Sequence, residues 1–166
     1  LANLKKISFI LIKIPNQGGF KLRDKKTNIL CVCIHNSARS QIAETYLNSL
    51  SSKINAKSAG LTAGILNPLV VKSMLSAGYD ISSNKTKTVE SIFKDSLKFD
   101  FVIFVCEESQ AANCPVVPYE AEKIYWSIKD PSVFEGNDST KLEEIKIIRD
   151  KIKIKVKEFI KSYIKV

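Results

Sequence analysis

Cys33, Arg39 and Ser40 are the residues of this chain best suited to chemistry. They belong to the run Cys33-Ile34-His35-Asn36-Ser37-Ala38-Arg39-Ser40: a cysteine, five residues, an arginine and a serine. An apolar, strand-like run (Asn28 to Val32) precedes it, and a helix-like run (Ser40 to Leu47) follows. A strand, a tight loop and a helix N-terminus together make an anion cradle, because loop amides and first-turn N–H groups point inward and the helix dipole adds positive charge. The backbone of Ile34, His35, Asn36, Ser37, Ala38 and Arg39 would supply those amides. A cysteine at the loop entrance sits in a field that favours thiolate over thiol. The Arg39 guanidinium can fork across two oxygens of a tetrahedral oxyanion. Ser40 can donate a hydrogen bond to the sulfur. These are the parts of a nucleophilic thiolate facing a phosphate-like anion.

Two further groups of residues carry possible chemistry. Cys106 closes a long apolar run and Cys114 follows after a short polar segment, with Pro115 next. Such a pair can form a redox couple if the segment rearranges to bring the sulfurs within bonding distance; two unrelated half-buried thiols are the other reading. A zinc site from Cys31, Cys33, Cys106 and Cys114 fits poorly, because its spacing does not match structural zinc patterns. Asp130-Pro131 could set a general acid over the anion loop, or be an ordinary turn. His35 is the only histidine and is read as loop packing or a rim contact. Cys31 is read as structural.

These residues need elements to hold them. The 166 residues are 45% apolar and 26% charged, a composition normal for one globular domain. No apolar run approaches a membrane span. The net charge of +9 comes mostly from lysines, which near the C-terminus alternate with isoleucines at helical spacing. This is the pattern of a solvated helix face, so no nucleic-acid role is assigned. The four cysteines do not make a disulfide scaffold, and no convincing secretory signal is present, so a cytoplasmic location is expected. Residues 1–24 contain a Pro-Asn-Gln-Gly-Gly turn signal and are set apart as an extension of unknown role, with the domain proper at residues 25–166. Within it, strands are expected at residues 28–33, 54–59, 99–106 and 123–126. Helices are expected at residues 39–51, from Asn67-Pro68 to Gly78, at residues 89–97 and at residues 139–163. The last helix carries an apolar stripe of Ile145, Ile148, Ile152, Val156, Phe159 and Tyr163. Strands alternating with helices predict an α/β fold with a parallel sheet covered on both faces. Ligands of such folds bind beyond the carboxyl ends of strands, where Cys33, Cys106 and the loop after Trp126 all fall.

The segments Val32 to Glu44, Ser58-Ala59-Gly60, Asn67-Pro68, Gly78 to Ser82, Cys106/Cys114-Pro115 and Trp126 to Pro131 together resemble the low-molecular-weight protein tyrosine phosphatase family and, within it, the thioredoxin-coupled arsenate reductases. The resemblance implies a three-layer sandwich with a four-stranded parallel sheet. It implies that Cys33 attacks arsenate, Arg39 and the loop amides hold the oxygens, Ser40 stabilises the thiolate, and Asp130 protonates the departing oxygen. Cys106 would then attack Cys33 and release arsenite, and Cys114 would move the disulfide to Cys106–Cys114 for thioredoxin to reduce. No bound cofactor is implied, only an external thiol reductant, and a monomer is expected. Two departures stand out. Ala38 replaces a second loop cysteine common in the family, which the relay does not use. Some members bind potassium through Asn, Glu, Ser and Asp; here Asn36, Glu44 and Ser58 match, but Lys87 stands at the acid position, so no metal is expected. The alternative function is phosphate-monoester hydrolysis through a cysteinyl-phosphate; Ser132, where such phosphatases commonly carry an aromatic, speaks mildly against a phosphotyrosine substrate. A non-catalytic thiol protein is a third reading.

Overall fold

The computed structural model describes residues 25–107, 117 and 119–164. The proposed extension at residues 1–24, and Cys114, lie outside the described residues. Four strands form one parallel sheet: β1 (Thr27–Cys33), β2 (Ile54–Gly60), β3 (Phe101–Val105) and β4 (Glu122–Trp126), in the order β2-β1-β3-β4. The helices are α1 (Arg39–Leu50), α2 (Pro68–Ser76), α3 (Val89–Phe93) and α4 (Asp138–Tyr163).

The period of two along β1 divides the core. Ile29 and Cys31 face a cluster built with Ile42, Tyr46 and Leu47 of α1, Val70 and Met74 of α2, and the α4 stripe. Leu30 and Val32 face the other way, onto Val89 and Ile92 of α3 and onto Phe104 and Cys106. Strands apolar on both faces are therefore buried on both faces, as the alternating pattern predicts. Each fully buried Ile or Leu of this core contributes about 1.5–3 kcal/mol relative to exposure.

The expected elements all form, with differences at their ends. The helix expected over residues 89–97 stops at Phe93, and Ser96 takes a positive φ of 55°. Asp95 and Ser96 are weak helix formers, and the Asp95 carboxylate pairs with Lys57 of β2 at 3.6 Å instead. The strand expected over residues 99–106 pairs only from Phe101 to Val105. Asp100 instead ties the strand's start to Asn28, accepting from its N–H at 2.8 Å. Ile145, Ile148, Ile152, Val156 and Phe159 are buried as expected, but Tyr163 is 46% exposed and meets the core at its edge, stacking on Phe159 and touching Phe101 edge-on. Asn67 caps α2 by accepting from the N–H groups of Leu69 and Val70, with Pro68 at the first position, as its sequence signature requires. No helix among the described residues is long and apolar enough to cross a membrane.

The strand order places a switch point between β1 and β3, since the chain leaves β1 toward β2 on one side and β3 lies on the other. Open α/β sheets bind ligands in the crevice at that point. Cys33 is the last residue of β1.

Candidate active site

The loop from Cys33 to Arg39 is shaped by its neighbours. The carbonyls of Cys33, Ile34, His35 and Ser37 accept from the amides of Leu61, Thr62, Gly64 and Asn67. All described peptide bonds are trans, so each of these carbonyls turned outward sends the next N–H the opposite way. The amides of Ile34, His35, Asn36 and Ala38 therefore face into the loop. Ala38 caps α1 without a side-chain hydrogen bond, and no acidic residue occupies the first turn. The free helix N-terminus adds its partial positive charge to the cradle.

Two residues permit this shape. Asn36 adopts φ 52°, a left-handed conformation that asparagine tolerates better than most residues. Gly60, opposite Cys33 in the β1–β2 register, has no room for a side chain. A Cβ there would lie 2.4 Å from the Thr62 carbonyl oxygen, 2.6 Å from the Asn36 nitrogen and 2.7 Å from the Ile34 oxygen.

Cys33, 4% exposed, has its Sγ 2.9 Å from Ser40 Oγ. The direction of that bond follows from the chain of partners behind it. The Lys87 backbone N–H can only donate, and it donates to Asn36 Oδ1 at 2.8 Å. The Asn36 Nδ2 group must then face Ser40 and Ser58, donating to each hydroxyl at 2.9 Å. Ser40 Oγ accepts from Asn36, which leaves its proton for the sulfur. Ser58 Oγ in turn donates to the Glu44 carboxylate. A negative sulfur is stabilised by this hydroxyl, the inward amides and the α1 dipole.

Arg39 is 2% exposed. Its guanidinium donates to the Ile128 carbonyl at 3.0 Å and forms a salt bridge with Asp130 Oδ2. Asp130 is held from its other side, since Oδ1 accepts from Ser132 N–H at 2.9 Å where it caps the 3-10 turn Pro131–Val133. The loop after β4 thus brings the acid and the arginine together over the strand ends. Beside them runs a groove of about 680 Å³, lined by Ser37, Ile65, Pro131, Ser132 and Phe134 among others.

Cys33 and Ser40 are thus paired by a hydrogen bond, and Arg39 and Asp130 by a salt bridge, at the carboxyl-end side of the sheet. His35 sits on the rim, exposed, with Nδ1 2.9 Å from Thr62 Oγ1. Cys31 is fully buried; burial pushes its thiol well above the ordinary value, and Glu44 and Cys33 add to this, as befits a structural residue. Cys106 is a buried thiol just past the end of β3. It clusters with Leu30, Val32 and Phe104 on the α3 face of the sheet, one residue beyond β3, the strand that pairs with β1. Lys87 Nζ lies 3.7 Å from Glu44 Oε2. The Asn36 carbonyl is already committed to protein donors, and a lysine ammonium stands beside the carboxylate, so these residues do not fit a potassium ion. Three supporting groups are identifiable only once the chain is folded: Gln41, which donates to Asn36 Oδ1, Asn84, which donates to Gln41, and the Ile128 carbonyl, which accepts from Arg39.

A doubly covered parallel sheet with a Cys-x5-Arg-Ser anion loop at its switch point and an Asp-Pro turn above it defines a class of cysteine enzymes with an α/β fold. The chain belongs to the low molecular weight phosphotyrosine protein phosphatase family, whose profile matches residues 28–165. It is 37% identical to an arsenate reductase of Bacillus licheniformis over 136 residues, covering 81% of this chain and 95% of that protein. Among solved structures, an arsenate reductase from Archaeoglobus fulgidus is 33% identical with a TM-score of 0.59, covering 78% of this chain and 98% of that one. An arsenate reductase in a phosphate-binding state is 28% identical with a TM-score of 0.65, covering 81% and 97%.

Proposed function

We propose that this chain reduces arsenate to arsenite by the chemistry of a thiolate in an anion loop followed by a disulfide relay. The observation that carries the reading is the pair of thiols at the ends of adjacent central strands: Cys33 in the loop and Cys106 just beyond β3. A phosphatase needs only the first. The arsenate reductases that resemble this chain over most of its length add support.

The steps balance as follows. The Cys33 thiolate attacks arsenic while Asp130, freed from Arg39 by the bound oxyanion and protonated, passes its proton to a departing arsenic-bound hydroxyl, which leaves as water. Inward amides and Arg39 hold the remaining oxygens as charge builds on them. Cys106 then attacks the Cys33 sulfur. The sulfur–sulfur bond forms, the sulfur–arsenic bond breaks, and the electron pair stays on arsenic, which leaves as arsenite. Cys114 attacks Cys106, restores the Cys33 thiolate and forms the Cys106–Cys114 disulfide. An external dithiol, for which thioredoxin is the proposed partner, reduces it. This relay requires a reducing compartment, so we assign the protein to the cytoplasm, acting as a monomer without a bound cofactor. Its second step requires Cys106 to leave the apolar α3-side core and reach Cys33.

Phosphate esters enter the same first step, so slow ester hydrolysis is expected beside arsenate turnover. The test is arsenate-dependent oxidation of NADPH with purified thioredoxin and thioredoxin reductase, run beside para-nitrophenyl phosphate hydrolysis. Many turnovers on arsenate support the reading. Vigorous ester hydrolysis without arsenate turnover would make the chain a phosphatase.

A further inference from the structure

We propose that Gln41, which touches no reacting group, is a positioning residue that governs the reactivity of Cys33 by holding the Asn36 amide in place. The proposal rests on the reading of Cys33 as the nucleophile.

Gln41 is completely buried in the first turn of α1. Burying a primary amide is unfavourable unless its groups find partners, and here they do. Nε2 donates to Asn36 Oδ1 and to the Lys85 carbonyl, each at 3.2 Å. Oε1 accepts from Asn84 Nδ2 at 3.0 Å. The carbonyl of Lys85 can only accept, so the Gln41 amide has one orientation, with its nitrogen toward Asn36.

Two consequences follow for the loop. The second lone pair of Asn36 Oδ1 is filled by Gln41, beside the Lys87 N–H. All four hydrogen-bonding sites of the Asn36 amide are then occupied: two acceptances at oxygen, and donations to Ser40 and Ser58 at nitrogen. In addition, the two bonds from Gln41 to Lys85 and Asn84 clamp the segment 84–87 onto α1. That segment delivers the Lys87 N–H to Asn36. Gln41 therefore fixes Asn36 directly and through its neighbour. Asn36 in turn decides that the Ser40 proton points at Cys33 Sγ. Loosening the amide releases Ser40 to turn its proton elsewhere, and a negative sulfur loses its nearest donor.

The readout is the pH dependence of Cys33 alkylation by iodoacetamide, followed on the Cys33 peptide by mass spectrometry. It requires neither arsenate, ester nor thioredoxin, so a failure of arsenate turnover leaves it intact. Conversely, if Cys33 does not alkylate in the unsubstituted protein, the nucleophile reading itself fails. Gln41→Met keeps the length of the side chain and removes its polar groups. The expected result is a rise of about one pH unit in the alkylation midpoint, a tenfold loss of reactivity below it. Asn36→Ala should raise the midpoint as well, and Gln41→Met added to Asn36→Ala should shift it no further, because both act through one amide. A merely structural role would lower the thermal unfolding midpoint and leave the alkylation curve where it was; that result overturns the proposal. Full additivity of the two shifts overturns it too. If Gln41→Met does not fold, Asn84→Ala cuts the same clamp from its half-buried outer side. A raised midpoint there supports the proposal, and an unchanged one overturns it.

Discussion

At Gly60, one added methyl group should cost the protein most of its activity. Three backbone atoms of two adjoining loops surround the missing Cβ at 2.4, 2.6 and 2.7 Å. Ordinary contact begins at 3.4 Å, so a Gly60→Ala substitution must push these atoms away by about 0.7–1 Å. None is the end of a flexible side chain. Two of them, Ile34 O and Asn36 N, belong to the anion loop, whose amides must hold the oxyanion. Displacement of about 1 Å near reacting groups can cost about a hundredfold in rate, and overpacking itself costs about 1–3 kcal/mol of stability. The expected outcome is a loss of about two orders of magnitude in kcat/KM for para-nitrophenyl phosphate, measured on protein that still unfolds cooperatively in urea. Gly78→Ala supplies the contrast. It has φ 88° but open space around its Cβ position, so it should cost stability, about 1 kcal/mol, and leave the rate alone. Gly60→Ala with rates within twofold of the parent protein would refute the packing explanation.

Asp130→Asn should reduce ester hydrolysis by about 10²–10⁴-fold in kcat. The loss should be larger for phenyl phosphate than for para-nitrophenyl phosphate, whose leaving group needs less protonation; equal losses would mean that Asp130 is not the acid. Because Lys87 stands beside Glu44, exchanging potassium for sodium at constant ionic strength should leave arsenate turnover unchanged, as steady-state rates will tell. Burial raises the Cys31 thiol, so its folded pKa lies above the unfolded value of about 8.5. The stability linked to it is fully present below that pH and is lost as pH rises toward the folded value. Urea unfolding under reducing conditions from pH 7 to pH 10 should therefore show a shallower fall for Cys31→Ala than for the parent protein.

The fold was legible because each element carries a local signal that agrees with its tertiary environment. The doubly apolar run Phe101 to Val105 became an interior strand, and Asn67-Pro68 capped a helix. The short helix after Val89 was overextended, because Phe93 to Leu97 keeps apolar residues at helical spacing while Asp95 and Ser96 favour a turn. Cys33, Arg39, Ser40 and Asp130, the residues proposed to carry the chemistry, stand out in the sequence because their types and spacing are those that such chemistry needs. Gln41 was not. A glutamine in a first helical turn looks like any solvated residue until the segment 84–87, more than forty positions away, closes over it. The Ile128 carbonyl was equally hidden, since a backbone acceptor leaves no mark in the sequence. The steric demand at Gly60 is visible only once β1 and β2 pair and bring the anion loop against it.

The relay is the central claim, and Cys106→Ser tests it most directly. The variant and the parent protein should be compared in two assays: arsenate-dependent NADPH oxidation with thioredoxin and its reductase, and para-nitrophenyl phosphate hydrolysis. Removing the Cys106 sulfur should abolish arsenate turnover while ester hydrolysis, which uses only Cys33, Arg39, Ser40 and Asp130, stays close to that of the parent. Sustained arsenate turnover by Cys106→Ser would contradict the two-strand thiol relay.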